Sequence, residues 1–204
     1  PQQTDEITIE VKISTEPQPG KVRYHYSAQV VLRSQLPDPP LYAFSPTKHN
    51  DLDIAYYQNG TLFHGPCFQG IQSILELSDH KLTMICKAPT VSDLNQGQFP
   101  IHTFNPYAAD VQFQSMVVWA RHMYDAGSLP LSCKFGEQFK TVAPNQTFYV
   151  SMEVESATES HLTASIITHD EKGYIYNRIS GAEVTISKQL NPLFLQNGSV
   201  TLSA

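Results

Sequence analysis

The stretch Phe99–Tyr124 reads FPIHTFNPYAADVQFQSMVVWARHMY and decides the fold. Asn105 is a favoured N-cap residue and Pro106 suits the first helical position, so this pair predicts the start of a helix. No Gly or Pro interrupts the run before Gly127, which predicts a helix end near Tyr124 with Gly127 as the C′ residue. Apolar residues fall on nearly every side of this helix, which predicts that most of its surface is buried.

Two polar side chains share one face of the predicted helix. Asp110 and Gln114 are four positions apart, so one lies above the other along the axis. A carboxylate on such an apolar helix costs free energy unless another group pairs with it or a reaction uses it. Taken from the helix alone, Asp110 is either a catalytic group or a side chain that bonds a backbone group, and Gln114 is equally open to a structural role.

Composition restricts the class of protein. The chain has 204 residues, 41% of them hydrophobic, which is enough for one large domain with a proper core. The net charge of −6 has no long runs and argues against a nucleic-acid surface or a polybasic membrane contact. No apolar run reaches the roughly 18 residues that a membrane span needs. The first residue is Pro1 rather than Met, which indicates a cut from a longer polypeptide.

The cysteines and histidines do not predict a metal site. Three cysteines are an odd number without ligand spacing, which favours a reduced, cytoplasmic location. His64 and Cys67 form an H-x-x-C pair, but no further ligands stand at matching spacing, so we expect no metal.

Residues 1–45 predict a hairpin followed by a linker. Ile7–Ile13 and Val22–Leu32 alternate apolar and polar residues, as half-buried antiparallel strands do. An isolated two-stranded ribbon is barely stable in water, so this hairpin needs a partner. Prolines between Pro37 and Pro46 indicate an extended linker that crosses a surface.

Further strand candidates lie on both sides of the helix. Before it they are Ile71–Leu77 and Leu82–Ala88, and after it they are Leu131–Phe135, Thr147–Val154, Leu162–Thr168 and Tyr174–Ile186. A long apolar helix needs a sheet around it to bury its surface. The predicted fold class is therefore α+β, with a curled antiparallel sheet around a central helix. Residues 191–204 lack clear periodicity and predict a C-terminal linker or surface segment.

Three motifs in order carry a resemblance to a known family. His64–Gln69 reads HGPCFQ and resembles the (H/Y)-G-P-x-F-Q motif of dehydratase domains in polyketide synthases and polyunsaturated fatty acid synthases. Asn105–Gln114 reads NPYAADVQFQ and is similar to the HPxxxDxxxQ helix of the same family. Leu129-Pro130 matches a frequent Leu-Pro of that family at the opening of the next strand.

The resemblance implies a double hotdog fold. It covers about residues 52–190, which would be the second hotdog, with residues 46–190 as its domain. The hairpin and linker of residues 1–45 would then include the closing strands of the first hotdog.

The resemblance also implies a reaction. Members eliminate water from a 3-hydroxyacyl thioester carried on the phosphopantetheine of an acyl carrier protein, and no cofactor is bound directly. A His of the first hotdog removes the α-proton and an Asp of the second protonates the leaving hydroxyl. Such an acid must hold its proton near neutral pH, which burial on an apolar helix favours. The implied partners are the acyl carrier protein, other domains of the same synthase and a second copy in a homodimer.

The resemblance assigns roles to residues of this chain. By position Asp110 would be the catalytic acid, with Gln114 orienting it or binding the substrate oxygen. The residues expected to bind substrate or line its pocket are His64, Gly65, Pro66, Phe68, Gln69 and Phe113. Of these, His64 is expected to brace the pocket entrance rather than act as the base.

This sequence departs from the family pattern at two points. Asn105 stands where the family commonly has His, and we interpret it as the helix cap. The H-x-x-x-G-x-x-x-x-P motif of the first hotdog is absent, so the catalytic base either lies upstream of Pro1 or has been lost.

Two other function classes therefore remain open. One is an inactive double-hotdog module that serves dimerisation or carrier-protein docking. The other is a different hotdog enzyme on acyl thioesters, such as a thioesterase or a product-template cyclase.

Overall fold

The long helix α1 spans Pro106–Tyr124 in a computed structural model that describes residues 6–45, 55–90 and 104–197. Its start is as predicted: the Asn105 side chain accepts a hydrogen bond from the N–H of Ala108, and Pro106 follows. The predicted end is close, but its cap is different. Asp125 takes the left-handed conformation with φ 49°, whereas Gly127 already begins a strand.

Nine strands are present among the described residues. They are β1 (Glu6–Gln18), β2 (Lys21–Arg33), β3 (Ile71–Leu77), β4 (Lys81–Lys87), β5 (Gly127–Ser132), β6 (Phe135–Gln138), β7 (Thr147–Thr158), β8 (His161–His169) and β9 (Ile175–Ser187). A second helix, α2, spans Asn191–Asn197. These elements confirm the α+β class.

Strands β3 to β9 form one antiparallel sheet. Its order is β3-β4-β7-β8-β9-β5, and the short β6 also pairs with β9. Strand β5 begins at Gly127 and not at Leu131 as predicted, because Gly127 already pairs with Ser187 of the long strand β9. Pro130 is tolerated inside β5 because that strand has a partner on one side only.

The core lies between α1 and the sheet. Helix α1 packs against β4, β5, β7 and β8. Its Trp119 is 1% exposed, and the indole N–H donates to the carbonyl of Ser78 at 2.8 Å. Leu82, Phe148 and Leu162 from three neighbouring strands are completely buried in the same core. The prediction of a helix buried on most of its surface is confirmed.

The described residues divide into two compact units, one up to Asp38 and one from Pro39 onward. Strands β1 and β2 pair as the predicted antiparallel hairpin and run longer than the alternating patterns indicate. Gly20 has φ 74° in the turn between them, a conformation that a side chain would strain. That this hairpin closes a first hotdog stays a prediction.

The residues that follow Asp38 run along the end of the sheet. Leu41 forms an isolated antiparallel bridge with Tyr174, and the N–H of Tyr42 donates to the carbonyl of Gly173 at 2.8 Å. The ring of Phe44 lies edge-on to His169, with 4.6 Å between centroids. The expected extended linker across a surface is thus present up to residue 45, and residues 46–54 lie outside the described ones.

The C-terminal segment contributes to the core, which the sequence pattern does not indicate. Phe194 of α2 is only 4% exposed, and its ring lies 4.6 Å from that of Phe63. Asn191 accepts from the N–H of Gly127 at 2.8 Å and donates to the carbonyl of Asp125 at 2.9 Å. The expectation of a linker or surface segment over 191–204 therefore misses a helix that packs on the domain.

Within the described residues, no helix combines the length and apolar character that crossing a membrane requires.

Candidate active site

The carboxyl group of Asp110 lies on the outer face of α1, one turn from its start. About a third (33%) of its side chain is exposed, whereas the neighbouring Gln114 is 1% exposed. We expected this carboxyl group to be buried on the apolar helix. The expectation overestimates its burial, because Asp110 is only partly covered and a third of its side chain is accessible to solvent.

One oxygen of this carboxyl group lies close to both the Gln114 amide and the His64 ring. Gln114 Nε2 donates to Asp110 Oδ2 at 2.7 Å, and His64 Nε2 lies 3.3 Å from the same atom. No donor from the described residues contacts the other oxygen, Oδ1. Oδ2 therefore accepts from Gln114, whereas Oδ1 has hydrogen-bonding capacity that the described residues do not use.

His64 is mostly buried beside this carboxyl group. Its side chain is 13% exposed, and the ring of Phe63 stacks on it with 4.6 Å between centroids. Burial lowers the pKa of the imidazole, and the nearby Asp110 charge opposes this only in part. His64 is thus a neutral imidazole at neutral pH, with Nε2 close to Oδ2 and a buried Nδ1 that has no partner among the described residues.

The HGPCFQ segment forms a tight loop that holds this arrangement. Pro66–Phe68 is one turn of 3₁₀-helix, and Gln69 Nε2 donates back to the carbonyl of His64 at 3.0 Å. The carbonyl of Phe68 accepts from Gln114 Nε2 at 2.7 Å. This loop is therefore bonded to α1 at Gln114, one turn after Asp110.

The structure places the residues predicted to bind substrate in three groups. His64 and Phe68 contact the Asp110–Gln114 pair directly, the former through its ring and the latter through its backbone. Gly65 and Pro66 are exposed and shape the loop, and Gln69 braces it. Phe113 is partly buried and packs against the core. Contact of any of them with substrate stays a prediction.

Tyr57 is a member of the site that was not predicted from the sequence. Tyr57 Oη donates to Gln114 Oε1 at 2.7 Å and accepts from the N–H of Ile71 at 3.0 Å. Burial is the main cause that raises the pKa of this phenol, so the hydroxyl stays protonated. No motif includes Tyr57, and the only signal is a tyrosine seven positions before the HGPCFQ segment.

A second histidine carries half of the missing base motif. His169 and Gly173 fit H-x-x-x-G, but Arg178 stands where the motif has proline. His169 is completely buried, with Ser151 Oγ 3.0 Å from Nε2 and the carbonyl of Asp170 2.8 Å from Nδ1. Both ring nitrogens are thus engaged within the fold, which indicates a structural role for His169.

Solved structures with a similar fold are dehydratase domains. The dehydratase domain of RzxB from Pseudomonas fluorescens has TM-score 0.62 and 13% identity, covering 87% of this chain and 63% of that one. The dehydratase domain of PpsC from Mycobacterium tuberculosis, in complex with C12:1-CoA, has TM-score 0.63 and 16% identity, covering 90% and 65%. The dehydratase domain from the CurJ module of the curacin polyketide synthase has TM-score 0.65 and 14% identity, covering 92% and 66%. At these identities the likeness shows the fold alone, and it confirms the hotdog architecture.

The sequence then places the chain within a family. Residues 45–193 match the model of the polyketide synthase dehydratase N-terminal domain, and the chain belongs to that family. A polyunsaturated fatty acid synthase subunit from Thraustochytrium sp. is 31% identical over 167 residues, which are 77% of this chain and 6% of that protein. The chain thus spans about two thirds of the dehydratase domain structures and a small part of the synthase subunit.

The family name and the sequence motifs point to different halves of the dehydratase. The matched family is named for the N-terminal domain, whereas the motifs at His64 and Asp110 resemble those of the second hotdog. The assignment to the second hotdog stays a prediction that depends on those motifs.

Proposed function

We propose that this chain supplies the acid half of a dehydratase that eliminates water from a 3-hydroxyacyl thioester. The observation that carries the proposal is the geometry of the partly exposed Asp110 side chain, with the Gln114 donor and the His64 ring at Oδ2 and with Oδ1 free of any donor from the described residues. Membership of the dehydratase family supports the same reaction.

The proposed reaction balances as a 1,2-elimination. A base removes the proton from the α-carbon, and the electrons of that C–H bond form the double bond between the α- and β-carbons. The bond from the β-carbon to the hydroxyl oxygen breaks, and Asp110 Oδ1 gives its proton to the departing oxygen, so that water leaves. Gln114 and His64 stabilise the negative charge that develops on Asp110.

The base comes from outside the described site. His64 is unsuited to that role because its Nε2 lies 3.3 Å from Asp110 Oδ2 and its Nδ1 is buried. We propose a His of the first hotdog, as the resemblance implies. A neutral imidazole at position 64 serves the acid instead, since a donor on Oδ2 positions the carboxyl group for proton transfer through Oδ1.

The proposal extends to the partners of the reaction. The substrate is carried on the phosphopantetheine of an acyl carrier protein in the cytoplasm, and no cofactor takes part. Other domains of a polyketide or polyunsaturated fatty acid synthase surround this one, and the double hotdog pairs as a homodimer. The 31% identity to a polyunsaturated fatty acid synthase subunit supports the synthase context.

Product analysis tests the proposed reaction. The chain is assayed within its full-length polypeptide on a 3-hydroxyacyl thioester of an acyl carrier protein, and the acyl chain is analysed by mass spectrometry. We expect loss of one water with the thioester intact. Release of a free acid would instead indicate a thioesterase, a cyclised product would indicate a template cyclase, and unchanged substrate would indicate an inactive module.

A further inference from the structure

Tyr57 joins the site through a hydroxyl that has both of its hydrogen-bonding directions in use. It accepts from the backbone N–H of Ile71, at the first residue of β3, and donates to Gln114 Oε1. The distances are 3.0 Å and 2.7 Å. A hydroxyl has one proton, and here that proton is committed to the amide of Gln114.

The hydrogen bonds of this series all run in one direction. The Ile71 N–H points to Tyr57, the Tyr57 O–H points to Gln114, and the Gln114 N–H points to Asp110 Oδ2. Such a series polarises each member in turn, which strengthens the last donor. The raised pKa of Tyr57 means that the phenol proton stays in place throughout the neutral range.

We propose that Tyr57 is a positioning residue for the acid Asp110, acting through the amide of Gln114. Tyr57 holds Gln114 Oε1 on the side of β3, and this keeps Nε2 aimed at Asp110 Oδ2. It also strengthens the N–H that stabilises the carboxylate formed when the proton leaves. This inference rests on the proposed function, because it requires Asp110 to give up a proton during turnover.

The adjacent Tyr56 provides a matched control. Both tyrosines lie in the same turn, and Tyr56 is only 7% exposed. Its hydroxyl is also buried, yet it has no hydrogen-bond partner among the described residues. Replacing either tyrosine by phenylalanine removes the same atom, but only at position 57 does this leave Gln114 Oε1 without a donor.

The first test compares Tyr57→Phe with Tyr56→Phe in the full-length polypeptide on a 3-hydroxyacyl thioester. For Tyr57→Phe we expect kcat to fall about five- to tenfold, the rate equivalent of one lost hydrogen bond, with KM within about twofold. Tyr56→Phe should leave both constants unchanged. Equal kcat values in the two variants would overturn the inference.

The second test uses pH, because a merely structural tyrosine would not move a catalytic pH profile. Loss of the donor favours the protonated acid, so the pH above which kcat declines should rise in Tyr57→Phe. Replacing Tyr57 by 3-fluorotyrosine keeps the ring and makes the hydroxyl a stronger donor, so the same limb should move to lower pH. The 3-fluorotyrosine variant also tests the inference if Tyr57→Phe does not fold. If the high-pH limb of its kcat profile does not move, the inference is contradicted.

The Asp110→Asn variant separates the two proposals. If that variant loses activity and Tyr57→Phe behaves like Tyr56→Phe, only the positioning role of Tyr57 fails. If Asp110→Asn keeps full activity, the proposed function fails, and the role of Tyr57 fails with it.

Discussion

Asp110, the proposed acid, has few contacts with its own chain. Its Oδ2 accepts from Gln114 and lies near His64, and its Oδ1 has no donor from the described residues. Gln114 is the most connected member, because its amide also bonds Tyr57 and the carbonyl of Phe68. The amide of Gln114 therefore links α1, the HGPCFQ loop and the turn that precedes it.

The connections of Gln114 predict a measurable stability effect. Gln114→Leu leaves the Phe68 carbonyl and the Tyr57 hydroxyl without their partner, so we expect a loss of about 1–3 kcal/mol in the free energy of unfolding. The measurement is urea denaturation. Gln112→Leu is the matched control on the same helix, because Gln112 is 2% exposed and its Nε2 has no partner among the described residues. A loss in Gln112→Leu as large as in Gln114→Leu would contradict this account.

The contacts of this site between residues close in sequence could be predicted, whereas those between residues far apart in sequence could not. The pairing of Asp110 with Gln114 follows from a spacing of four on a helix, so the pattern predicts it. Tyr57 lies 57 positions before Gln114, and no periodicity reports a contact at that separation. The same holds for the ring of His64, whose direction depends on how the loop packs on α1.

Helix α1 depends on a buried cap that bonds in two directions. Asn105 Oδ1 accepts from the N–H of Ala108 at 3.1 Å, while its Nδ2 donates to the carbonyl of Val142 at 3.0 Å. The cap therefore fixes both the start of the helix and the loop that follows β6. The interpretation of Asn105 as the helix cap is thereby confirmed.

This double role predicts a graded loss on substitution. Asn105→Ala should lower the free energy of unfolding by about 2 kcal/mol, because the cap is lost and the Val142 carbonyl is left buried without its donor. Asn105→Ser keeps an oxygen that can cap the helix and loses only the donor, so it should cost less. Thermal and urea denaturation give the two values, and an equal loss in both variants would contradict a capping role.

The junction of α1, β5 and α2 has no room for a side chain at Gly127. A Cβ atom there would lie 2.9 Å from Leu190 Cβ and 2.9 Å from Phe194 Cε2. We expect Gly127→Ala to cost about 1–3 kcal/mol through overpacking. Gly136→Ala is the control, since a Cβ in β6 meets nothing within 4 Å. Denaturation that shows no difference between the variants would mean that α2 does not pack on this junction.

The elements show why the helix start was easier to predict than its end. The signals for the start, Asn105 and Pro106, are adjacent in sequence. At the end, Asp125 adopts the left-handed conformation and its carbonyl accepts from Asn191, which lies 66 positions away. The strand start at Gly127 likewise depends on pairing with the distant β9, so local composition could not locate it.

Two buried histidines make the stability of the molecule depend on pH. Burial lowers the pKa of His64, opposed by Asp110, and also that of His169, opposed mainly by the carbonyl and charge of Asp170. The unfolded chain therefore takes up protons below the ordinary imidazole value of 6.5, while the folded protein does not. The stabilisation is complete above that value and is lost as the pH falls through the lowered pKa values.

Urea denaturation at about pH 7.5 and about pH 5.5 measures this effect. We expect higher stability at the higher pH. His169→Asn keeps a donor for the Asp170 carbonyl and should weaken the dependence, whereas His80→Gln, at a side chain 83% exposed, should leave it unchanged. Equal stability at the two pH values would contradict the assignment of neutral, buried imidazoles.

On the scale of the whole molecule, the alternation of β1 and β2 predicted a hairpin, and the apolar helix predicted the sheet that covers it. The strand order was beyond reach, because it is set by pairings between distant residues such as those of β5 with β9. Motif resemblance singled out Asp110, which lies within the residues 45–193 that match the family model, and its role stays a prediction. The H-x-x-x-G-x-x-x-x-P motif of the base does not occur in this sequence. Of the two proposed catalytic groups, substitutions in this chain can therefore test the acid, Asp110.

The kcat of Asp110→Asn for loss of water from a 3-hydroxyacyl thioester tests the central claim most directly. Asparagine keeps the size and the bond to Gln114 but has no acidic proton, so we expect kcat to fall by at least about a hundredfold. Asp125→Asn is the control, because that side chain is 85% exposed at the far end of the same helix and asparagine suits its left-handed conformation. Loss of activity in Asp110→Asn alone is the predicted result, and full activity in that variant would contradict the account.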